Sequence, residues 1–222
     1  MSDIADNITA IHETINKTCA EFDCEAARVN LIAVSKKQDE SRIETALAAG
    51  QRIFGENRVQ EAQERWGVRR ETYHDLTLHL IGPLQTNKVK DAVALFDVIH
   101  TLDREKLARK LADEMAEQGR DLPCFIQVNT GLEDQKSGIA PEALPDFIEY
   151  CYGECGLDVV GLMCIPPLDD PPALHFALLK KLAEDNALSE LSMGMSGDYE
   201  AAIPLGATYI RVGTGVFGVR KY

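Results

Sequence analysis

The sequence is poor in positive charge. Its 23 lysines and arginines stand against 36 aspartates and glutamates, a formal net charge of −13 over 222 residues. Nucleic-acid binding rests on clustered cations that displace counterions from phosphates, so no nucleic-acid partner is expected. Long apolar runs are missing as well. The longest, such as "VVGLMCIPP", fall far short of the roughly 20 residues of a bilayer-spanning helix, and no membrane partner is expected. The opening "MSDIADNITAIHETINKTCAEF" is amphipathic but acidic. It has neither the apolar core of a signal peptide nor the basic bias of a transit peptide, and the expected location is cytoplasmic. Six cysteines, at 19, 24, 124, 151, 155 and 164, make no Cys-x-x-Cys pair, and five histidines make no His-Glu-x-x-His spacing. Neither a metal site nor a redox dithiol is expected. Cys124 and Cys164 lie in apolar runs and read as small buried hydrophobes. There is no Gly/Ser-rich linker, low-complexity tract or repeat to mark a domain boundary.

With 45% hydrophobic and 27% charged residues the composition is that of an ordinary soluble globular protein. Strand-like runs alternate with helix-period segments, the rhythm of β-α units and a parallel sheet. Eight strands are expected, at 31–35, 52–54, 78–81, 97–100, 124–129, 159–163, 191–194 and 209–213. Between them, Ser41 and Glu44 have capping-box spacing and Gly50 stands where a left-handed cap is wanted. Asp103 and Gly119 bracket a second helix, and Pro141 opens a third, with Pro145 blurring its start. The expected fold is α/β: a TIM (β/α)8 barrel with an extra N-terminal helix, the open doubly wound sheet being the alternative. The chain reads as one domain over 1–222, with a leading helix in 1–21 and a barrel core at 31–217.

A barrel puts functional side chains on one rim, where strands end and the following loops begin. Lys36, "GEN" (55–57), "IGP" (81–83), Thr101 and Asp103, "NTG" (129–131), "SMGMS" (192–196) and "RVGTG" (211–215) all fall there. Strand alternation places His79 with Thr77, Gln127 with Asn129 and Arg211 with Tyr209 on the inner face. Leu78, Leu80, Ile126, Val128, Ile210 and Val212 take the helix-facing side. In "LIAVSKKQ", Lys36 shares parity with Ile32 and Val34, and Lys37 with Leu31, Ala33 and Ser35. Both faces are apolar, so parity does not say which lysine enters the mouth.

"SMGMSGD" and "VGTGVFG" follow strands seven and eight, where this fold often binds phosphate on backbone N–H groups and a helix N-terminus. Ser196 and Thr214 add hydroxyls, although a Gly-Thr-Gly suits a plain turn and Ser196 a simple helix N-cap. Together the two loops favour an anion site. A lysine beside a phosphate site suggests Schiff-base chemistry, since a partly desolvated amine loses its proton more readily and attacks an aldehyde. Pyridoxal 5'-phosphate and a phosphorylated sugar aldehyde both meet these demands. A pair of solvated rim charges is the bland alternative for the two lysines.

"AVSKK", "FGENRVQEA", "LHLIGPLQTNKVK", "HTLDR", "KSGI", "GLMCIPP", "LSMGMSGDYEAAI" and "RVGTGVFG" occur in this order. From about residue 28 to the C-terminus the sequence resembles the pyridoxal phosphate homeostasis proteins, the YggS/PROSC group. The resemblance implies a TIM barrel like the N-terminal domain of alanine racemase, holding pyridoxal phosphate as an aldimine on Lys36. It implies Asn57 beside the cofactor, Ser196, Gly213 and Thr214 on its phosphate, Arg211 at the pyridine nitrogen, and His79 and Met163 near the pocket. Many relatives carry a proline shortly after the lysine and a tyrosine after "GEN", where this chain has Lys37-Gln38-Asp39 and Arg58. These departures bear on loop shape and cofactor exposure. The implied function is vitamin B6 homeostasis and cofactor delivery by a monomer without robust catalysis and with no catalytic residue assigned, meeting pyridoxal-phosphate-dependent apo-enzymes transiently. An amino-acid racemase-like enzyme is the alternative on the same cofactor, and a Schiff-base aldolase the alternative without it.

Overall fold

A computed structural model describes residues 4–218. Helix α1 (Ile4–Phe22) comes first. The chain then alternates β1 (Asn30–Val34), α2 (Glu40–Ala48), β2 (Ile53–Glu56), α3 (Val59–Trp66), the short α4 (Arg69–Thr72) and β3 (Thr77–Leu80). It continues through α5 (Val89–Leu95), β4 (Val98–Leu102), α6 (Glu105–Gln118), β5 (Cys124–Gln127), α7 (Leu144–Glu149) and β6 (Val159–Met163). Helix α8 (Pro172–Asp185), β7 (Glu190–Met195), α9 (Tyr199–Ala202), β8 (Tyr209–Val212) and α10 (Thr214–Phe217) complete it. All eight strands are parallel and close into a barrel in sequence order, with β1 hydrogen-bonded to β2 on one side and to β8 on the other. The expected (β/α)8 barrel is therefore the fold, and the open sheet is excluded by the β1–β8 pairing.

Alternation sorts the side chains as a barrel requires. Leu78, Leu80, Ile126, Val128, Ile210 and Val212 belong to the large core between sheet and helices, with Phe54 and Trp66. Val98, Phe125 and Met163 form a separate small cluster, with Tyr209 packed against it, inside the barrel. Cys124 and Cys164 are fully buried free thiols, as their apolar surroundings suggest. Helix α1 buries Ile4, Ile8, Ile11 and Ile15, one per turn, against α2 and α10. Each such side chain contributes roughly 1.5–3 kcal/mol. Asn7 donates its Nδ2 to the Val216 carbonyl at 2.8 Å and fixes this helix to the end of the barrel. Among the described residues, no helix is long and apolar enough to cross a membrane.

Helix ends follow the expected grammar in part. Gly119 closes α6 at φ 62° and returns its N–H to the Met115 carbonyl, the left-handed cap. The capping box at Ser41 and Glu44 is not formed: α2 begins at Glu40 and Asp39 holds the N-cap position without a side-chain bond. The turn after β1 delivers the chain into the helix earlier, so that Asp39 O already accepts the Arg42 and Ile43 N–H groups. Pro141 opens a single 3-10 turn, and Pro145 sits in the first turn of α7 where no N–H is needed. Glu56, which the sequence pattern leaves in a loop, is the last residue of β2.

Gly161 in β6 pairs with Glu190 of β7, and a Cβ there would lie 2.0 Å from the Glu190 carbonyl oxygen. That neighbour is backbone and cannot rotate away. Gly161→Ala should cost about 1–3 kcal/mol, as overpacking does. At about 2–4 °C per kcal/mol for a chain of this size, thermal unfolding followed by circular dichroism should show Tm lowered by several degrees.

Candidate functional site at the barrel mouth

The two lysines after β1 lie in a tight turn. Gln38 N–H donates to the Ser35 carbonyl at 3.1 Å, Lys37 has φ 57°, and Lys36 precedes it at the more sheltered position. A positive φ in the third place is the signature of a type II turn, a conformation that a lysine adopts at a cost. Lys36 is half-buried and Lys37 exposed. Leu31 and Ala33 belong to the outer core, whereas the buried Ile32 and Val34 do not, and Ile32 Cγ2 faces Gly55 across the inner side. The lysine sharing parity with Ile32 and Val34 is Lys36.

Register sets its neighbours. Val34 pairs with Gly55, and Ala33 with Val212. The ends of β2, β1 and β8 thus emerge side by side, with Val34 against Gly213, so Asn57, the Lys36 turn and the Gly213–Thr214 segment follow neighbouring strands on one rim. Asn57 Oδ1 is buried without a hydrogen-bond partner, an acceptor available to a ligand donor. A cleft of about 590 Å³ opens beside Asn57, lined also by Arg58, Gln60, Gln85 and Lys88.

The loops after β7 and β8 are joined through one oxygen. Ser196 Oγ accepts the N–H of Gly213 at 3.3 Å and of Gly215 at 3.2 Å. It does not cap α9, whose N-cap position is Asp198, so the reading of Ser196 as a simple cap of the helix that follows it is corrected. Asp198 instead accepts the Met195 N–H at 2.5 Å and shapes the loop. Gly194 takes φ 90°, and a Cβ there would meet Tyr199 Cα at 2.9 Å, so this bend needs glycine. Thr214 is exposed at the start of α10. The result ties the β7 and β8 loops together through Ser196, leaving the hydroxyl hydrogens of Ser196 and Thr214 as the side-chain donors at this corner of the rim.

Beneath the mouth runs a buried polar chain. Arg211 is 4% exposed and donates NH1 to Ser192 Oγ at 2.6 Å and NH2 to the Cys164 carbonyl at 2.8 Å. His100 Nδ1 lies 2.9 Å from Ser192 Oγ, and His100 Nε2 lies 2.8 Å from His79 Nδ1. Burial pushes the His79 pKa down to about 3. His100 is held well below its usual value by burial, then by His79 and Arg211. Both rings are therefore neutral at physiological pH, and each contact is a donor facing an acceptor. Burial also lowers the Arg211 pKa, which nonetheless stays cationic. Among the described residues no carboxylate lies within ion-pair distance of Arg211, so its partners are neutral acceptors. Further groups of this kind, such as an unprotonated ring nitrogen, fit its remaining donors. Met163 is buried with Val98 and Phe125, and Tyr209 lies 5.5 Å from the His79 ring.

The sequence gives His100 no role of its own, and it offers Glu56 and Ser192 only as members of the rim motifs "GEN" and "SMGMS". His100 and Ser192 share the inner face of their strands with His79 and Arg211, a signal that parity holds once the barrel is assumed. Glu56 left no such signal, because its partners come from a helix and a turn.

This closed eight-stranded barrel, with a lysine turn on its rim above a buried arginine, is of the alanine racemase N-terminal type. The family model "Alanine racemase, N-terminal domain" matches residues 6–221. The Vibrio cholerae protein called pyridoxal phosphate homeostasis protein is 42% identical, covering 100% of this chain and 98% of its own length. That of Escherichia coli is 36% identical over 100% and 99%. The solved structure of PipY from Synechococcus elongatus with pyridoxal phosphate bound is 39% identical, covers 92% of this chain and 100% of its own, and has a TM-score of 0.79. The chain belongs to the pyridoxal phosphate homeostasis protein family. An alanine racemase from Clostridium difficile shares the fold at a TM-score of 0.67 and 15% identity, this chain matching 57% of its length.

The neutral histidines predict an acid response. Below the unfolded-state value near 6.5, the unfolded chain binds protons that the folded chain refuses, so stability falls with pH until the folded-state value near 3 for His79. Above pH 6.5 the two histidines add no pH dependence. Between pH 6 and 4, replacing His79 by Gln should flatten the dependence of unfolding free energy on pH by up to about 1.4 kcal/mol per pH unit. Urea titrations at stepped pH would measure it.

Proposed function

We propose that the protein holds pyridoxal 5'-phosphate as a Schiff base on Lys36 and serves cytoplasmic vitamin B6 homeostasis and delivery, acting as a monomer that meets apo-enzymes transiently. The single observation that supports the reading is the β8–β1 register, which brings the end of β1, just before the half-buried Lys36, beside the start of the Gly213–Gly215 loop that Ser196 ties down. An amine and a pair of Gly-rich, hydroxyl-bearing loops on neighbouring strand ends suit a ligand with both an aldehyde and a phosphate. When bound, the cofactor supplies an aldehyde that condenses with the amine, releasing water, and a ring that withdraws electrons.

The chain's own residues then divide the work. Ser196, Gly213 and Thr214 would hold the phosphate, and Asn57, after β2, would lie on the other side of the lysine. Arg211, a donor only, would hold the ring side of the cofactor and would favour a ring nitrogen without its own proton. A ring so held is a weaker electron sink, which argues for carriage over turnover at the α-carbon. Ser192, His100 and His79 fix the Arg211 fork from below, and Met163 belongs to the apolar floor.

Purified protein incubated with pyridoxal phosphate should absorb in the visible range. Borohydride should fix a pyridoxyl group to Lys36, found by peptide mapping. Lys36→Ala should abolish the labelling and Lys37→Ala should spare it. Protein that stays colourless and unlabelled rejects the reading. Exchange of amino-acid α-protons in deuterated water should stay at background; exchange that Lys36→Ala abolishes would favour a racemase-like enzyme instead.

A further inference from the structure

We infer that Glu56 is a positioning residue for Lys36: through Ser35 and Arg65 it clamps both flanks of the lysine turn and so sets how the amine reaches into the mouth. The inference rests on the proposed role of Lys36.

Glu56 is fully buried at the end of β2, with the parity of Phe54 and therefore on the helix side of the sheet, away from the mouth. Its Oε1 accepts three hydrogen bonds, from Ser35 Oγ at 2.7 Å, Arg65 NH1 at 2.7 Å and Trp66 Nε1 at 3.0 Å. Ser35 is the residue before Lys36. Arg65 in turn directs NH2 to the carbonyl of Gln38, two residues beyond the lysine, at 3.4 Å. One carboxylate oxygen thus holds the entry to the turn directly and its exit through a guanidinium.

What is held needs holding. The turn places a lysine at φ 57°, where L side chains are disfavoured, and it carries the proposed reacting amine. Glu56 Oε2 is buried with no hydrogen-bond partner, so the carboxylate is not placed for full satisfaction of its own oxygens. A buried ion pair of this kind is weak as a source of stability relative to apolar packing, and its recognised use is to specify one geometry. The rival account is a staple that merely joins β2 to α3 through Trp66 and Arg65. Ser35 separates the two: removing its hydroxyl cuts the link to the turn and leaves the Arg65 and Trp66 bonds in place.

The test uses the full chain, pyridoxal phosphate and borohydride, reading the rate and extent of labelling at Lys36 and the pH dependence of the visible band, with Tm measured alongside. Ser35→Ala and Glu56→Gln should label at least roughly fivefold more slowly at temperatures well below their Tm, as small misplacements of reacting groups do. Their visible band should form over a displaced pH range, and Ser35→Thr, which restores the hydroxyl, should recover the parental rate. A folded Ser35→Ala protein that labels at the parental rate and over the parental pH range overturns the clamp, whatever Glu56→Gln does to Tm. Parent protein that fails to label at Lys36 rejects the proposed function instead.

Discussion

The pairing of the last strand with the first is the constraint on which the rest depends. Four residues of β1, Asn30 to Ala33, lie in register with Tyr209 to Val212 of β8. Without that seam the sheet would be open, and Lys36 would stand some 180 residues away in sequence from the Gly213–Gly215 loop with nothing to bring them together. With it, the two strand ends emerge side by side on one rim. Helix α1 and α10 pack over the same end of the sheet, so the first and last described elements share in supporting the seam.

Two kinds of electrostatics meet at this rim. Above, the rim carries backbone N–H groups gathered on Ser196 Oγ, the hydroxyls of Ser196 and Thr214, and the half-buried Lys36. Below, the barrel interior keeps a cation, Arg211, with only neutral oxygens and two neutral imidazoles for company. That layer is buried, and its groups find their partners within the protein. The consequence is a rigid polar floor whose donors point in directions fixed by strand geometry. On the other side of the sheet, Glu56 does for the lysine turn what Ser192 does for Arg211: each accepts, on one oxygen, hydrogen bonds that hold part of the proposed ligand site.

The strands were legible because burial on both faces makes each a short apolar run between turn residues, as in "LIAVS" and "CFIQV". Inner and outer faces were legible from period two, and Leu78, Leu80 and Ile210 lie where that period puts them. Helix starts were less so. Ser41 and Glu44 have the right spacing for a capping box, yet the preceding turn starts α2 first. Ser196 showed a cap-like pattern too, but its oxygen is taken by N–H groups from a different loop. Local signals fail where a non-local partner offers a competing bond.

By itself the sequence determined the alternation of elements, the rim on which polar residues gather and, by resemblance, a family whose members carry a lysine after the first strand. Period two is a property of one strand, so it travels with the chain. The fold decided what depends on meeting: that Lys36 is half-buried while Lys37 is exposed, that Ser196 ties two loops, and that Glu56 reaches both sides of the lysine turn. Those facts rest on contacts between residues far apart in sequence, and such contacts come into being only when the barrel closes.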